Sequence, residues 1–357
     1  MSAPPPTPTA ADIASAFRYQ AEGCRESGSA LYAELLSAAA LDVERGGVMA
    51  RLVQGWRGHP VLDALGLRLL GGVHRMVLAG SAPRIARYYP SAGGVVDTAA
   101  IWPEFTALAE ERFDALRGAL NERVQTNEVA RAAALLPGFL RIAARTGLRL
   151  RLLELGSSAG LLQLADRYGY DLGPHRWGSN GSGVRIRTEW SGPPPDLGAK
   201  LEVASRAGCD PNPLDVNDPD VALRLQSFVW PEQLERLALL RAAMDYVRSA
   251  RPRIERTGAA RFLTDELAHP VSGVATVVFQ SVVWWYIPEA ERAEIVRLVD
   301  EAGTRATEEA PLAWLRLEGA TTREAELRLS LWPGGADVLL ATAHYHGRWV
   351  KWASASS

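Results

Sequence analysis

Residues 148–160 read LRLRLLELGSSAG, and the fold turns on this stretch. The leucine-dominated run from Leu148 to Leu155 predicts a strand buried on both faces. Gly156-Ser157-Ser158-Ala159-Gly160 then predicts a tight loop, and LLQLADRY at 161–168 carries helical spacing. Strand, glycine loop and helix together make one βα unit. Further along, LEVASRAGCD at 201–210 reads as a second strand, and a helix from Pro231 to Val247 places Leu237, Leu240, Met244 and Val247 on one face. Strand-like runs resume in VATVVFQSVVW, LAWLRLE, ELRLSLW and VLLATAHYH, with a helix from Pro288 to about Glu301 between the first two. Strands alternating with helices predict an α/β fold with a mostly parallel sheet, closed by an antiparallel hairpin around Pro333-Gly334-Gly335.

Upstream the periodicity changes. Phe105, Leu108, Phe113, Leu116 and Leu120, and again Val129, Ala133, Leu136 and Leu140, recur at helical intervals. The chain therefore divides into a disordered tail at 1–10, a helical amino-terminal domain at 11–146 and a sheet domain at 147–353. Within the sheet domain, the Gly- and Pro-rich residues 171–200 form an insert around VRIRTEW, whose alternation predicts a ribbon. Gly71-Gly72 and Pro90 to Gly94 are expected to break the helical domain into short blocks. Trp102-Pro103-Glu104 and Trp230-Pro231-Glu232 each offer a proline and an acid suited to a first helical turn.

Composition narrows the function classes. The 357 residues are 47% hydrophobic and 22% charged, as in ordinary globular proteins. With 39 basic and 41 acidic residues there is no positive excess to neutralise phosphates, so nucleic acid and anionic membrane are not expected as partners. A small-molecule substrate is expected instead. No apolar run reaches the ~20 residues of a membrane span. Two cysteines make no disulfide framework, so the reading is a cytoplasmic protein. Nothing in the sequence indicates an oligomeric state.

The glycine loop is open to three chemistries. A dinucleotide fingerprint fails at Ser158 and Leu161, and a phosphate-cradling loop fails at Leu161 and Leu162. The nucleophile pattern G-x-S-x-G is matched by Gly156, Ser158 and Gly160, with Asp265 or Asp300 and His344 or His346 downstream to complete a serine hydrolase triad. Against that reading, few strands precede the serine. The remaining candidate is the E-x-G-x-x-x-G loop that binds S-adenosylmethionine. Gly156 and Gly160 permit the turn, Ser157 and Ser158 line it, and a helix start would meet the cofactor's carboxylate. Glu154 would hold the cationic amino end, and Asp210 the two ribose hydroxyls.

LLELGSSAGL, GCDPNPLDV and FQSVVWWYIPEAER resemble successive segments of class I S-adenosylmethionine-dependent methyltransferases. QTNEVARAAALLPGFL, SFVWPEQLERLALLRAA, SVVWWYIP, PLAWLRLE and HGRWVKW resemble more closely the bacterial family named domain of unknown function 2332. The resemblance covers nearly the whole chain and implies a helical part joined to a Rossmann-like, methyltransferase-type sheet. It implies methyl transfer to a small molecule, or ligand binding without turnover. Two departures stand out: Ser158 occupies a position where many such enzymes have glycine, and Ala259 stands where an acid often meets adenine, leaving Asp265 as its substitute.

Other candidates flank the loop. Gln280 ends a strand where ligands gather and is assigned to the cofactor. Trp284, Trp285 and Tyr286 follow, with aromatic faces able to stack a substrate or a sulfonium. Trp284 is assigned to substrate and Tyr286 to catalysis. Asn127 and Glu128 precede a helix, Asn127 as a substrate contact or helix cap and Glu128 as a general base or first-turn acid. His344 and His346 lie two apart on a strand, His346 within reach of substrate. No third ligand completes a metal site around them.

Overall fold

A computed structural model of the chain describes residues 7–321 and 323–353. The chain divides into two compact units, one of Met1–Thr126 with Asp218–Ala238, the other of Asn127–Asn217 with Leu239–Ser357.

Among its described residues the first unit contains helices and no strand. Thr9 caps its first helix, Ala10–Glu26, through a reciprocal exchange with Asp12, so ordered structure begins inside the expected tail, whose residues 1–6 lie outside the described ones. Helix Leu65–Leu78 runs straight through Gly71-Gly72, contrary to the expected break. A Cβ on Gly71 would lie 2.8 Å from the Phe228 ring, and one on Gly72 2.7 Å from the Ala119 methyl. Here glycine serves close helix packing rather than chain reversal. Residues 218–238 belong to this unit because Pro219–Ser227 packs on the same helix: the Ser227 carbonyl meets His74 Nδ1 at 3.1 Å. Trp230-Pro231-Glu232 does not open a helix, since the next begins at Leu234. Instead Glu232 accepts from the Leu31 N–H and the Ser29 hydroxyl, each at 2.8 Å, holding the start of helix Ala30–Glu44.

Among the described residues the second unit contains eleven strands in one sheet: β1 (Arg149–Leu155), β2 (Gly169–Leu172), β3 (His175–Trp177), β4 (Arg185–Ser191), β5 (Val203–Asp210), β6 (Arg253–Arg256), β7 (Val274–Ser281), β8 (Leu312–Gly319), β9 (Glu324–Trp332), β10 (Asp337–His344) and β11 (Trp349–Trp352). Their order is β3-β2-β4-β11-β10-β9-β8-β7-β1-β5-β6. From β6 to β8 every neighbouring pair is parallel, and from β8 to β11 the chain meanders antiparallel, with the expected hairpin joining β9 to β10. β7 is buried along its whole length before Ser281, as a two-sided cover of a parallel sheet requires.

Two expectations are corrected here. Residues 127–146 pack with the sheet: Phe139 meets Phe279 of β7 edge-on at 5.2 Å, and a Cβ on Gly138 would lie 2.7 Å from Leu315 of β8. The unit boundary therefore falls at Thr126, not 146. Secondly, the helix expected after the glycine loop is a six-residue 3-10 segment, Leu162–Arg167. Carbonyls in and just before it are caught by side chains: the Tyr168 and Tyr170 hydroxyls donate to Leu161 and Ala165 at 2.6 Å each, and Arg206 donates to Gln163 at 2.6 Å. The 171–200 insert forms most of β2, β3 and β4, and β4 extends the sheet beside β11.

Candidate functional site

The parallel half runs β6-β5-β1-β7-β8, so strand order reverses between β1 and β7. In such sheets ligands bind outside the carboxyl ends at the reversal. The register sets Glu154 against Gly208 on one side and Leu155 against Gln280 on the other. This brings Glu154, the glycine loop, Asp210 and Gln280 to one edge.

The first turn at that edge is held from within. Gly156 and Gly160 have φ of +70° and +76°, and Ser158, at φ +50°, shares this left-handed region. Both glycines are required by neighbours as well as by backbone: added Cβ atoms would lie 2.4 Å from Val283 and 2.9 Å from Ile254. Asp210 Oδ2 accepts from the Ser158 N–H at 2.9 Å, and Oδ1 from the Asn212 N–H at 2.8 Å. Ser157 donates to the Glu154 carbonyl at 3.2 Å and accepts from Gln163 Nε2 at 3.4 Å. Glu154 is 3% exposed, and burial pushes its carboxyl up to about 8, with the nearby Asp210 charge adding to the rise against Ser157 and Gln163.

Four buried polar atoms at this edge have no hydrogen-bond partner: Glu154 Oε2, Ser158 Oγ, Gln163 Oε1 and Ser281 Oγ. Native interiors satisfy almost all such atoms, through the chain itself, ordered water or a bound ligand. Of the four, the amide oxygen accepts only, and the carboxyl oxygen accepts only once Glu154 has ionised.

A second turn follows β7. Val282 has φ +54°, an outlier for a β-branched residue. Glu318 at the end of β8 holds it: Oε1 accepts from Gln280 Nε2 and the Val283 N–H, and Oε2 from the Trp284 N–H, at 3.2, 3.2 and 3.3 Å. Burial raises the Glu318 carboxyl against these contacts. Gln280 is fully buried with both amide ends engaged, since its oxygen also accepts from Trp314 Nε1 at 3.1 Å. Trp284 packs against Trp314, whereas Trp285 and Tyr286 are 56% and 77% exposed.

The remaining sequence candidates meet at a third point. Glu128, not Asn127, caps the short 3-10 turn Val129–Arg131, its Oε1 accepting from the Ala130 N–H at 3.3 Å. Glu128 Oε2 lies 3.1 Å from His346 Nδ1, a contact across 218 residues of chain. Asn127 is half-buried beside it. His344 neighbours His346 at 5.6 Å between ring centroids. Among the described residues no three acids, cysteines or histidines converge as a metal ion would need. Asp265 sits on the exposed face of helix Ala259–Glu266, paired with Arg261 at 3.1 Å.

Sequence reading missed four residues. Glu318 was legible, as the acid at the end of LAWLRLE, the same strand-end position as Glu154. Gln163 and Arg131 carry no local signal. Glu291, from helix Glu289–Thr304, reaches across to accept from the Ala260 N–H at 3.2 Å, bringing an acid to the end of β6 that no spacing argument anticipates.

Residues 14–352 match a family described as uncharacterized proteins conserved in bacteria, DUF2332. The chain belongs to the DUF2332 family. The match takes in every strand of the sheet and nearly all of the helical unit, so the edge described above is part of the shared DUF2332 region. No curated protein matches the chain. Among the described residues no helix is long and apolar enough to cross a membrane.

Proposed function

We propose that the carboxyl edge of the sheet binds S-adenosylmethionine, and that this DUF2332 protein transfers a methyl group to a small-molecule acceptor. The observation that carries the reading is the pair of orphaned acceptors, Glu154 Oε2 and Gln163 Oε1, beside a glycine turn whose neighbouring strand ends in Asp210. Acceptors without donors select a ligand bearing N–H groups, and a buried carboxyl selects a cationic one, because the charge of an ammonium beside it stabilises the ionised form that burial disfavours. The amino end of the cofactor fits that demand. Asp210 spends one lone pair of each oxygen on backbone N–H groups and keeps the others for two ribose hydroxyls. Glu291, rather than Asp265, offers a carboxylate for the adenine amino group. The cofactor, when bound, supplies an electrophilic methyl on sulfur, and the protein's part is to orient acceptor and methyl in line while excluding water.

Calorimetric titration tests this. Both S-adenosylmethionine and S-adenosylhomocysteine should bind; Glu154→Gln should weaken both by about tenfold or more, roughly 1.4 kcal/mol, while leaving adenosine, which lacks the amino group, unchanged. Asp210→Asn should weaken all three. Failure of both cofactor forms to bind would remove the proposal. A serine hydrolase has one observation in its favour, the left-handed backbone of Ser158, and labelling of that serine by a fluorophosphonate would support it instead.

A further inference from the structure

Glu128 and His346 form an arrangement that the binding of a nucleoside cofactor does not use. The carboxylate is 5% exposed and fixed at both oxygens, by the Ala130 N–H and by His346 Nδ1. The imidazole in front of it is 35% exposed. A buried acid behind a partly exposed histidine fixes the ring's orientation, keeps the proton on Nδ1 and leaves Nε2 as the basic nitrogen. The surrounding backbone is built to hold this pair. Gly347, at φ +66°, brings the 344–347 turn so close to residue 130 that an added Cβ would lie 2.3 Å from the Ala130 carbonyl. Arg131, 8% exposed, donates from Nε to the Tyr345 carbonyl at 2.9 Å and from Nη1 to the Ser281 carbonyl at 3.4 Å. One guanidinium thus ties the histidine turn to the end of β7, next to the orphaned Ser281 hydroxyl and the strand reversal.

We infer that His346, oriented by Glu128, accepts a proton from the methyl acceptor, which is therefore a hydroxyl or amine rather than a thiolate. The inference rests on the methyltransferase reading for its substrate. As the acceptor atom's lone pair forms its bond to the methyl carbon, the carbon–sulfur pair stays on sulfur, and the acceptor's O–H or N–H proton passes to His346 Nε2. A thiolate arrives already deprotonated and needs no such partner. Glu128 acts through the ring and is a positioning residue.

Diethyl pyrocarbonate, which reacts with neutral imidazole, reads the pair directly without cofactor or acceptor. Carbethoxylation of His346 should trace a pH midpoint set by the Glu128 carboxylate, which favours the charged ring, with the exposed His269 as a labelling control in the same sample. Glu128→Gln, which keeps a hydrogen-bond acceptor but removes the charge, should lower the midpoint by about one unit. His344, at 5.6 Å, and Arg131, bonded to the Tyr345 backbone, are titratable or charged groups near the ring, and both are unchanged in this variant. An unchanged midpoint, or a His346 that stays unlabelled while His269 reacts, overturns the inference. Where titration with S-adenosylmethionine shows binding, transfer of labelled methyl to a phenol, a primary amine and a thiol gives the second readout. His346→Asn should reduce transfer to phenol or amine roughly 100-fold or more and leave transfer to thiol within a few-fold at alkaline pH; equal losses for all three overturn the base assignment. Failed cofactor binding with normal His346 labelling would sink the methyltransferase reading, and with it the methyl acceptor as the proton's source, while the Glu128-oriented histidine would stand.

Discussion

In the turn after β1, Ser158 has a left-handed backbone and its N–H donates to Asp210 on the neighbouring strand. In the turn after β7, Val282 has nearly the same φ, and the next two N–H groups donate to Glu318 on its own neighbouring strand. Both turns thus use a strand-end carboxylate to hold strained backbone. They differ in what surrounds the clamp. Around the first, glycines flank the strained residue, Asp210 retains open lone pairs, and Glu154 Oε2 and Gln163 Oε1 lack partners. Around the second, Glu318 serves three donors and the Gln280 amide is engaged at both ends. Strain beside several unmet acceptors fits the ligand-binding turn proposed above; at the second turn the Ser281 hydroxyl is unmet, but the carboxylate and amide that hold the strain are satisfied, as in a scaffold.

Removing each clamp measures that difference most strongly. Glu318→Ala abandons three donors at once and should cost roughly 3–5 kcal/mol, whereas Asp210→Ala abandons two donors nearer solvent and should cost about 2 kcal/mol. Chemical unfolding with an unchanged slope reads both. Equal losses would mean that the two clamps are alike, and the contrast between ligand site and scaffold would lose its energetic basis.

The next largest effect lies behind the first turn and depends on pH. Glu154 titrates at about 8 in the folded chain, against an ordinary value of 4.5. Below pH 4.5 it is protonated in both states and costs nothing. Between 4.5 and 8 the unfolded chain has released the proton while the folded chain retains it, so stability falls as pH rises through this window. Glu154→Gln removes that slope and should leave the variant more stable than the parent at pH 9 by roughly 2–4 kcal/mol, with little difference at pH 4. Glu318, raised by burial but opposed by three donors, should give a shallower dependence in the same assay. A parent protein with flat stability from pH 5 to 9 would show that Glu154 is already solvated or paired.

The contrast also explains what the sequence reveals and what it hides. β1, β7 and β8 were legible because buried parallel strands are dominated by apolar residues, and the hairpin after Trp332 was legible because Pro-Gly-Gly is turn chemistry. Glu154 and Asp210 could be paired on paper because each ends a recognisable strand. The helix after Gly160 was misread: LLQLADRY has the right spacing, but Tyr168, Tyr170 and Arg206 capture the carbonyls that a longer helix would need. Gly71-Gly72 misled for a related reason, since glycine marks close approach as readily as a break, and the approaching Phe228 lies over 150 residues away in the sequence. Arg131 and Gln163 were invisible because tertiary contact alone gives them a role.

The smallest expected effect separates the two strained residues themselves. Replacing either by glycine relieves a left-handed backbone, worth roughly 1–2 kcal/mol, at a cost of about 0.5–1 kcal/mol in freedom gained by the unfolded chain. Ser158→Gly also deletes a buried hydroxyl that has no partner, so the balance should favour the variant by about 1 kcal/mol. Val282→Gly instead gives up a half-buried apolar side chain, and its net change should fall within about 0.5 kcal/mol of zero. Thermal midpoints of the two variants decide between them. If Ser158→Gly destabilises the protein, its hydroxyl has a partner in solution, and the first turn is as fully satisfied as the second. If it stabilises as expected and cofactor binding weakens, the strained serine is retained for its contact with the ligand rather than for the fold.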